Sequence, residues 1–115
     1  MENKLDTLKK DLVINALREI LSKSQYPVHS VFLFGSRANG TNKNNSDYDF
    51  FFVLKTPMSR EELIRFRIEI KMFLKRKFPR QSFDILSRSL TDFDYYKTVI
   101  NFIDYTIFNE GIRIL

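Results

Sequence analysis

Five consecutive apolar residues, Phe50-Phe51-Phe52-Val53-Leu54, constrain this chain more than any other feature. A strand with one wet face alternates polar and apolar residues, because successive side chains point to opposite sides. A run without alternation needs burial on both faces, which is the condition of a central strand in an α/β layer. Two acids, Asp47 and Asp49, stand at the N-terminal end of this run and extend the predicted strand to 47–54.

The segments around it complete the layer. Leu5, Leu8, Leu12 and Ala16 follow helical spacing and predict an amphipathic helix over 4–22, closed before Pro27. Val28–Phe34 is β-branched and aromatic and reads as a strand that Gly35 stops. A short helical turn is expected over 36–40, then a mobile polar loop to Ser46. Ser59 and Glu62 form a Ser-x-x-Glu capping box ahead of a helix to about Lys77. Its core face is Leu63, Phe66, Ile70, Phe73 and Leu74, while Ile64, Ile68 and Met72 form a second stripe that is either deeply packed, the first expectation, or covers a partner. Lys75-Arg76-Lys77 suits the negative end of that helix dipole better than a nucleic-acid site. A third strand is predicted over 81–86, a last helix over 91–109 opened by Thr91, and a short edge strand or tail over 112–115. The order describes one α/β domain over residues 1–115.

Composition narrows the chemistry. The chain is 43% hydrophobic and 29% charged, as a globular protein is. It has no Cys, so a disulfide framework, a thiolate zinc site and a cysteine nucleophile are excluded. No apolar run approaches the roughly 20 residues of a membrane span, and the charged N-terminus does not read as a secretory signal. A cytoplasmic location is expected. The net charge of +5 favours polyanions, nucleoside triphosphates and nucleic acid alike. His29, the single histidine, reads as structural or surface.

The chemistry concentrates around the central strand. Carboxylates at i and i+2 on a strand share a face, so Asp47 and Asp49 repel each other when ionised. A hard divalent cation relieves that repulsion, and magnesium beside phosphates is the common case. Gly35-Ser36 stands where the first strand meets a short helix. Glycine admits a close backbone approach, and amides at a helix start attract phosphate oxygens. The Ser36 hydroxyl adds a donor, and Arg37 either neutralises a phosphate or faces water. Taken singly, Gly35 would be a tight turn and Asp47 an Asx-turn residue; the joint pattern argues for a site. Asp84 interrupts an apolar strand. It is either an edge residue or a third carboxylate that ligates a second ion or accepts a proton.

Gly35-Ser36, ten intervening residues and Asp47-Tyr48-Asp49, within the longer Gly35-Ser36-Arg37-Ala38-Asn39-Gly40 and Ser46-Asp47-Tyr48-Asp49, resemble a known pattern. It is that of the nucleotidyltransferase superfamily that includes DNA polymerase beta, and in particular of its minimal nucleotidyltransferases. The resemblance implies a mixed β-sheet flanked by α-helices. It implies that Gly35 and Ser36 hold a triphosphate, that Asp47 and Asp49 ligate one or two magnesium ions, and that Asp84 is the third acid. Arg37 is a further nucleotide-binding candidate.

Larger members of the superfamily carry a second domain that grips the acceptor, for which this chain has no room. The resemblance to small members implies an antitoxin that transfers AMP from ATP to a tyrosine of a helical HEPN-type toxin. The stripe Ile64, Ile68 and Met72 is where such a partner could pack. A homo-oligomer is compatible with the sequence; RNA binding is not favoured. The alternatives are an antibiotic-type small-molecule nucleotidyltransferase and a non-catalytic nucleotide- or RNA-binding module.

Overall fold

The computed structural model describes residue 8 and residues 10–115. The elements are α1 (Leu12–Lys23), β1 (Val28–Phe34), α2 (Ser36–Asn39), β2 (Tyr48–Leu54), α3 (Arg60–Lys77), β3 (Phe83–Ser89), α4 (Leu90–Tyr96), α5 (Ile103–Glu110) and β4 (Ile112–Arg113). The strands form one sheet in the order β3-β2-β1-β4. β1 pairs antiparallel with both β2 and β4, whereas β2 and β3 run parallel. The polymerase-beta-like expectation of a mixed sheet flanked by helices is met.

β2 has a strand on either side and helices over both faces, so its unbroken apolar run is satisfied. Tyr48, Phe50, Phe52 and Leu54 point into a core closed by Val13, Ile14 and Leu17 of α1 and Phe66, Ile70 and Leu74 of α3. Phe51 and Val53 point the other way, into a smaller core with Phe32, Phe93 of α4 and Ile107 of α5. Phe50, Phe51 and Phe52 are all essentially inaccessible. Burying each contributes roughly 1.5–3 kcal/mol, and trimming one to Ala would cost about 3–5 kcal/mol.

Caps account for most boundaries. The α3 capping box is present, with the Ser59 hydroxyl accepting from the Glu62 amide and the Glu62 carboxylate accepting from the Ser59 amide. Lys75 steadies the end of that helix, donating to the Pro79 and Gln81 carbonyls at 3.1 and 2.7 Å.

Four expectations are corrected. The helix predicted over 4–22 does not run through in the described residues. Asp11 leaves the helical conformation and caps α1, its Oδ1 accepting from the Val13 and Ile14 amides. Residues 1–7 and 9 of that prediction lie outside the described residues. The third strand continues to Ser89 rather than ending at 86, because β2 offers a backbone partner as far as Leu54. The helix predicted over 91–109 is two helices, and Ser89, not Thr91, caps the first. The break returns Phe102 onto Tyr96, their rings stacked at 4.2 Å, and brings Asp104 beneath Arg88. Asp104 is fully buried, and both its oxygens accept from the Arg88 guanidinium, at 2.8 and 2.9 Å. Finally, Ile64, Ile68 and Met72 are not deeply packed. They stay 40%, 51% and 54% exposed, since α3 needs only its Phe66–Ile70–Leu74 face to cover the sheet.

Candidate active site

The end of β1 and the start of β2 lie side by side, with Phe34 opposite Asp49. Gly35 follows Phe34 at φ 74°, ψ −156°, a region essentially closed to residues with a side chain. This turn starts α2, whose first internal bonds run from the Ala38 and Asn39 amides to the Gly35 carbonyl. The amides of Ser36 and Arg37 precede those bonds and form the open end of the turn. Gly40, in the left-handed conformation, closes α2. A side chain on Gly35 would collide with Asp49 Oδ2, so the phosphate-binding candidate and the acid candidate share one site.

The register of β2 and β3 places Asp84 directly opposite Asp49. Partners in adjacent strands project from the same face, so the sheet brings Asp47, Asp49 and Asp84 to one corner. That corner lies on the α4–α5 side, since Phe51 and Val53 continue the face of Asp49. Asp47 and Asp84 are exposed, and Asp49 is half-buried. Burial, then the charges of Asp84 and Asp47, raise the Asp49 carboxyl above its ordinary pKa. The corner is short of positive charge.

Among the described residues no three acid or histidine side chains converge as a ready metal cluster. Magnesium ordinarily uses one or two carboxylates, several waters and substrate phosphates, not an all-protein cage. Hard oxygen donors that repel one another, beside the open end of the Gly35 turn, fit such an ion.

Arg37 does not extend into the open site. Its guanidinium donates to the carbonyls of Ser46 (3.0 and 3.2 Å) and Asn44 (3.3 Å) and lies 3.8 Å from the Tyr48 ring centre. The loop expected to be mobile is thus clamped onto α2. Tyr48 is core, as its alternation from the acids predicts, and its hydroxyl donates to Asp11 Oδ2 at 2.8 Å. Burial and the Asp11 charge hold that phenol well above its ordinary pKa.

Sequence reasoning missed a neighbouring cleft that shares Gly35 with the turn. The cleft, of about 270 Å³, runs between α2 and α5, lined by Gly35, Ala38, Asn39, Ile103, Thr106 and Ile107 among others. Its α5 wall carries no motif; only the helix break that swings α5 against α2 creates it.

A family model described as Polymerase beta, Nucleotidyltransferase matches residues 15–115. The chain belongs to this family. No curated protein sequence matches it. Its fold is similar to solved structures of toxin–antitoxin assemblies. One is a chain of the crystal structure of a toxin–antitoxin with AMP-PNP, at TM-score 0.58 and 18% identity over 89% of this chain and 72% of that one. Another is a chain of the MntA–HepT toxin–antitoxin, at TM-score 0.52 and 16% identity, covering 90% and 70%. A third belongs to the tri-AMPylated Shewanella oneidensis HEPN toxin in complex with MNT antitoxin, at TM-score 0.52 and 15% identity, again covering 90% and 70%. These identities speak for a common fold. The family match adds the Gly35-Ser36 and Asp47-Tyr48-Asp49 region, which falls within it.

Proposed function

We propose that this protein is a magnesium-dependent nucleotidyltransferase that moves AMP from ATP to a tyrosine of a HEPN-type toxin and so acts as its antitoxin. The observation that carries the reading is the packing of the Gly35 turn against Asp49 while Asp49 faces Asp84. The glycine turn and the strand positions of the three acids then lie at one corner of the sheet. The solved neighbours with AMP-PNP and with an AMPylated toxin support the nucleotide and the acceptor.

In this reading the Ser36 and Arg37 amides and the Ser36 hydroxyl hold the outer phosphates. Arg37 acts indirectly, by holding the loop that delivers Asp47. Asp47 and Asp49 would hold the metal. Magnesium, when bound, supplies positive charge that neutralises the triphosphate and the acids together. The acceptor oxygen attacks the α-phosphorus; its bond to phosphorus forms, the α–β bridging bond breaks, and pyrophosphate leaves. Asp84, exposed on the edge strand, accepts the proton of the acceptor hydroxyl. A cytoplasmic location, with its supply of ATP and magnesium, suits this chemistry.

The test is incubation with ATP and magnesium, with and without a HEPN-type toxin as acceptor, read by mass spectrometry of the toxin. An added AMP on tyrosine is expected, and its loss in Asp47→Asn and Asp49→Asn. Unchanged transfer in both variants would remove the metal assignment. No transfer by the native protein would remove the function.

A further inference from the structure

The described helices are amphipathic, and α3 keeps a second apolar stripe that nothing among the described residues covers. Ile64, Ile68 and Met72 stand four residues apart, in line along the helix, and remain 40–54% exposed. A shallow open groove follows them, lined by Glu61, Ile64, Arg65, Ile68 and Glu69. The stripe lies on the helix covering the larger core, across the sheet from the acids, so it is separate from the site above.

Its edges differ in charge. By helical geometry Arg60, Arg67 and Lys71 run along one edge, and none makes a hydrogen bond or ion pair to a described residue. The other edge, Glu61, Arg65 and Glu69, alternates in sign at four-residue steps and carries one net negative charge. Two occupants can be compared on this basis. A second copy packed antiparallel about Ile68 would match Ile64 with Met72, but would set the basic edge against its own image. A different helix with carboxylates along the facing edge matches both the apolar stripe and the charge.

We infer that α3 is a docking face for an amphipathic helix of the AMP-acceptor protein, with aliphatic side chains on its stripe and acidic residues along one edge. This rests on the protein-modifying reading above and adds where the acceptor is held. Helix-in-groove recognition at i, i+4 and i+8 anchors is the mode it would use.

Two synthetic helices test the surface without the acceptor. Both carry leucines at i, i+4 and i+8; one has glutamates along one edge and its twin has lysines there. Fluorescence anisotropy should show the glutamate helix binding the full-length protein at least about tenfold more tightly than the twin. Methyl NMR shifts should centre on Ile64, Ile68 and Met72. Ile68→Glu should weaken the glutamate helix at least about tenfold, and Arg67→Glu with Lys71→Glu should reverse the preference. The charge variant keeps the test open if Ile68→Glu fails to fold.

Equal affinity for the twins, no binding of either, or binding untouched by the variants would overturn the inference. So would a homodimer on sedimentation that Ile68→Glu dissolves, since a second copy would then own the face. The two proposals fail separately. Asp49→Asn should abolish AMP transfer and leave helix affinity unchanged, whereas toxin affinity unchanged by Ile68→Glu would defeat the docking face and leave the transferase reading intact.

Discussion

The Asp49 carboxylate fills the space that a side chain on residue 35 would require. One glycine therefore serves two ends, since it permits the backbone geometry that opens α2 and it leaves room for the half-buried acid.

Gly35→Ala should damage both. The backbone at φ 74° is unfavourable for any side chain, at about 1–3 kcal/mol, before the collision with Asp49 is counted. A drop of several degrees in Tm is expected, with ATP affinity reduced at least about tenfold in titration calorimetry. A variant that binds ATP as the native protein does would separate the turn from phosphate binding.

Asp49→Asn should separate stability from activity. The folded-state pKa of Asp49 is raised by burial, Asp84 and Asp47, so the fold disfavours its ionised form. Folding then takes up a proton between the unfolded and folded pKa values, and stability falls as pH rises through that interval. At neutral pH the metal-free variant should melt above the native protein, and the difference should close as pH falls through the carboxylate range. Magnesium with ATP should raise the melting temperature of the native protein alone. AMP transfer in the variant should fall on the order of 100-fold or more. Parallel melting curves across pH would contradict the electrostatic account.

Arg37→Lys tests the clamp. A guanidinium can reach the Asn44 and Ser46 carbonyls together while lying on the Tyr48 ring, and a compact ammonium cannot. Amide exchange over residues 41–46 should quicken, and kcat should fall several-fold while the global melt moves little. If exchange stays native and only the KM for ATP rises, Arg37 touches the nucleotide directly.

Arg88→Met should be the most destabilising of these changes. It leaves the Asp104 carboxylate, with no exposure to solvent, without its partner. Breaking a buried pair from one side costs about 3–5 kcal/mol. The double variant Arg88→Met/Asp104→Leu should recover most of that in urea unfolding. If the double variant is no better than the single, the ring of Tyr96 above Arg88 carries more of the contact than the ion pair does.

Much of this was legible locally. The β2 run announces two-sided burial because no alternation survives in it, and the Ser59–Glu62 cap forms from residues three apart. Gly35-Ser36 and Asp47-Tyr48-Asp49 were readable because strand ends and turns have local residue requirements. The tenth residue of the loop between them, Ser46, now shows its part by accepting from Arg37. Other features had no local signal. The 97–102 break gains from the Tyr96–Phe102 stack and from the Arg88–Asp104 pair, and that pair forms only once β3 and α5 are neighbours. The choice between a packed and an uncovered stripe at Ile64, Ile68 and Met72 was not legible, because apolar periodicity tells which residues share a face, not whether another element lies over it.

The sequence by itself determined that β2 is central, that Asp47 and Asp49 share a face, and that a glycine turn precedes them, since each follows from backbone geometry within a few residues. Only the tertiary structure decided that Asp84 belongs with them, through a parallel register between strands separated by the whole of α3. It alone set Gly35 against Asp49, turned Arg37 onto the loop and left one stripe of α3 uncovered. Those arrangements depend on which elements become neighbours, and pairing across long separations is a property of the whole packed sheet.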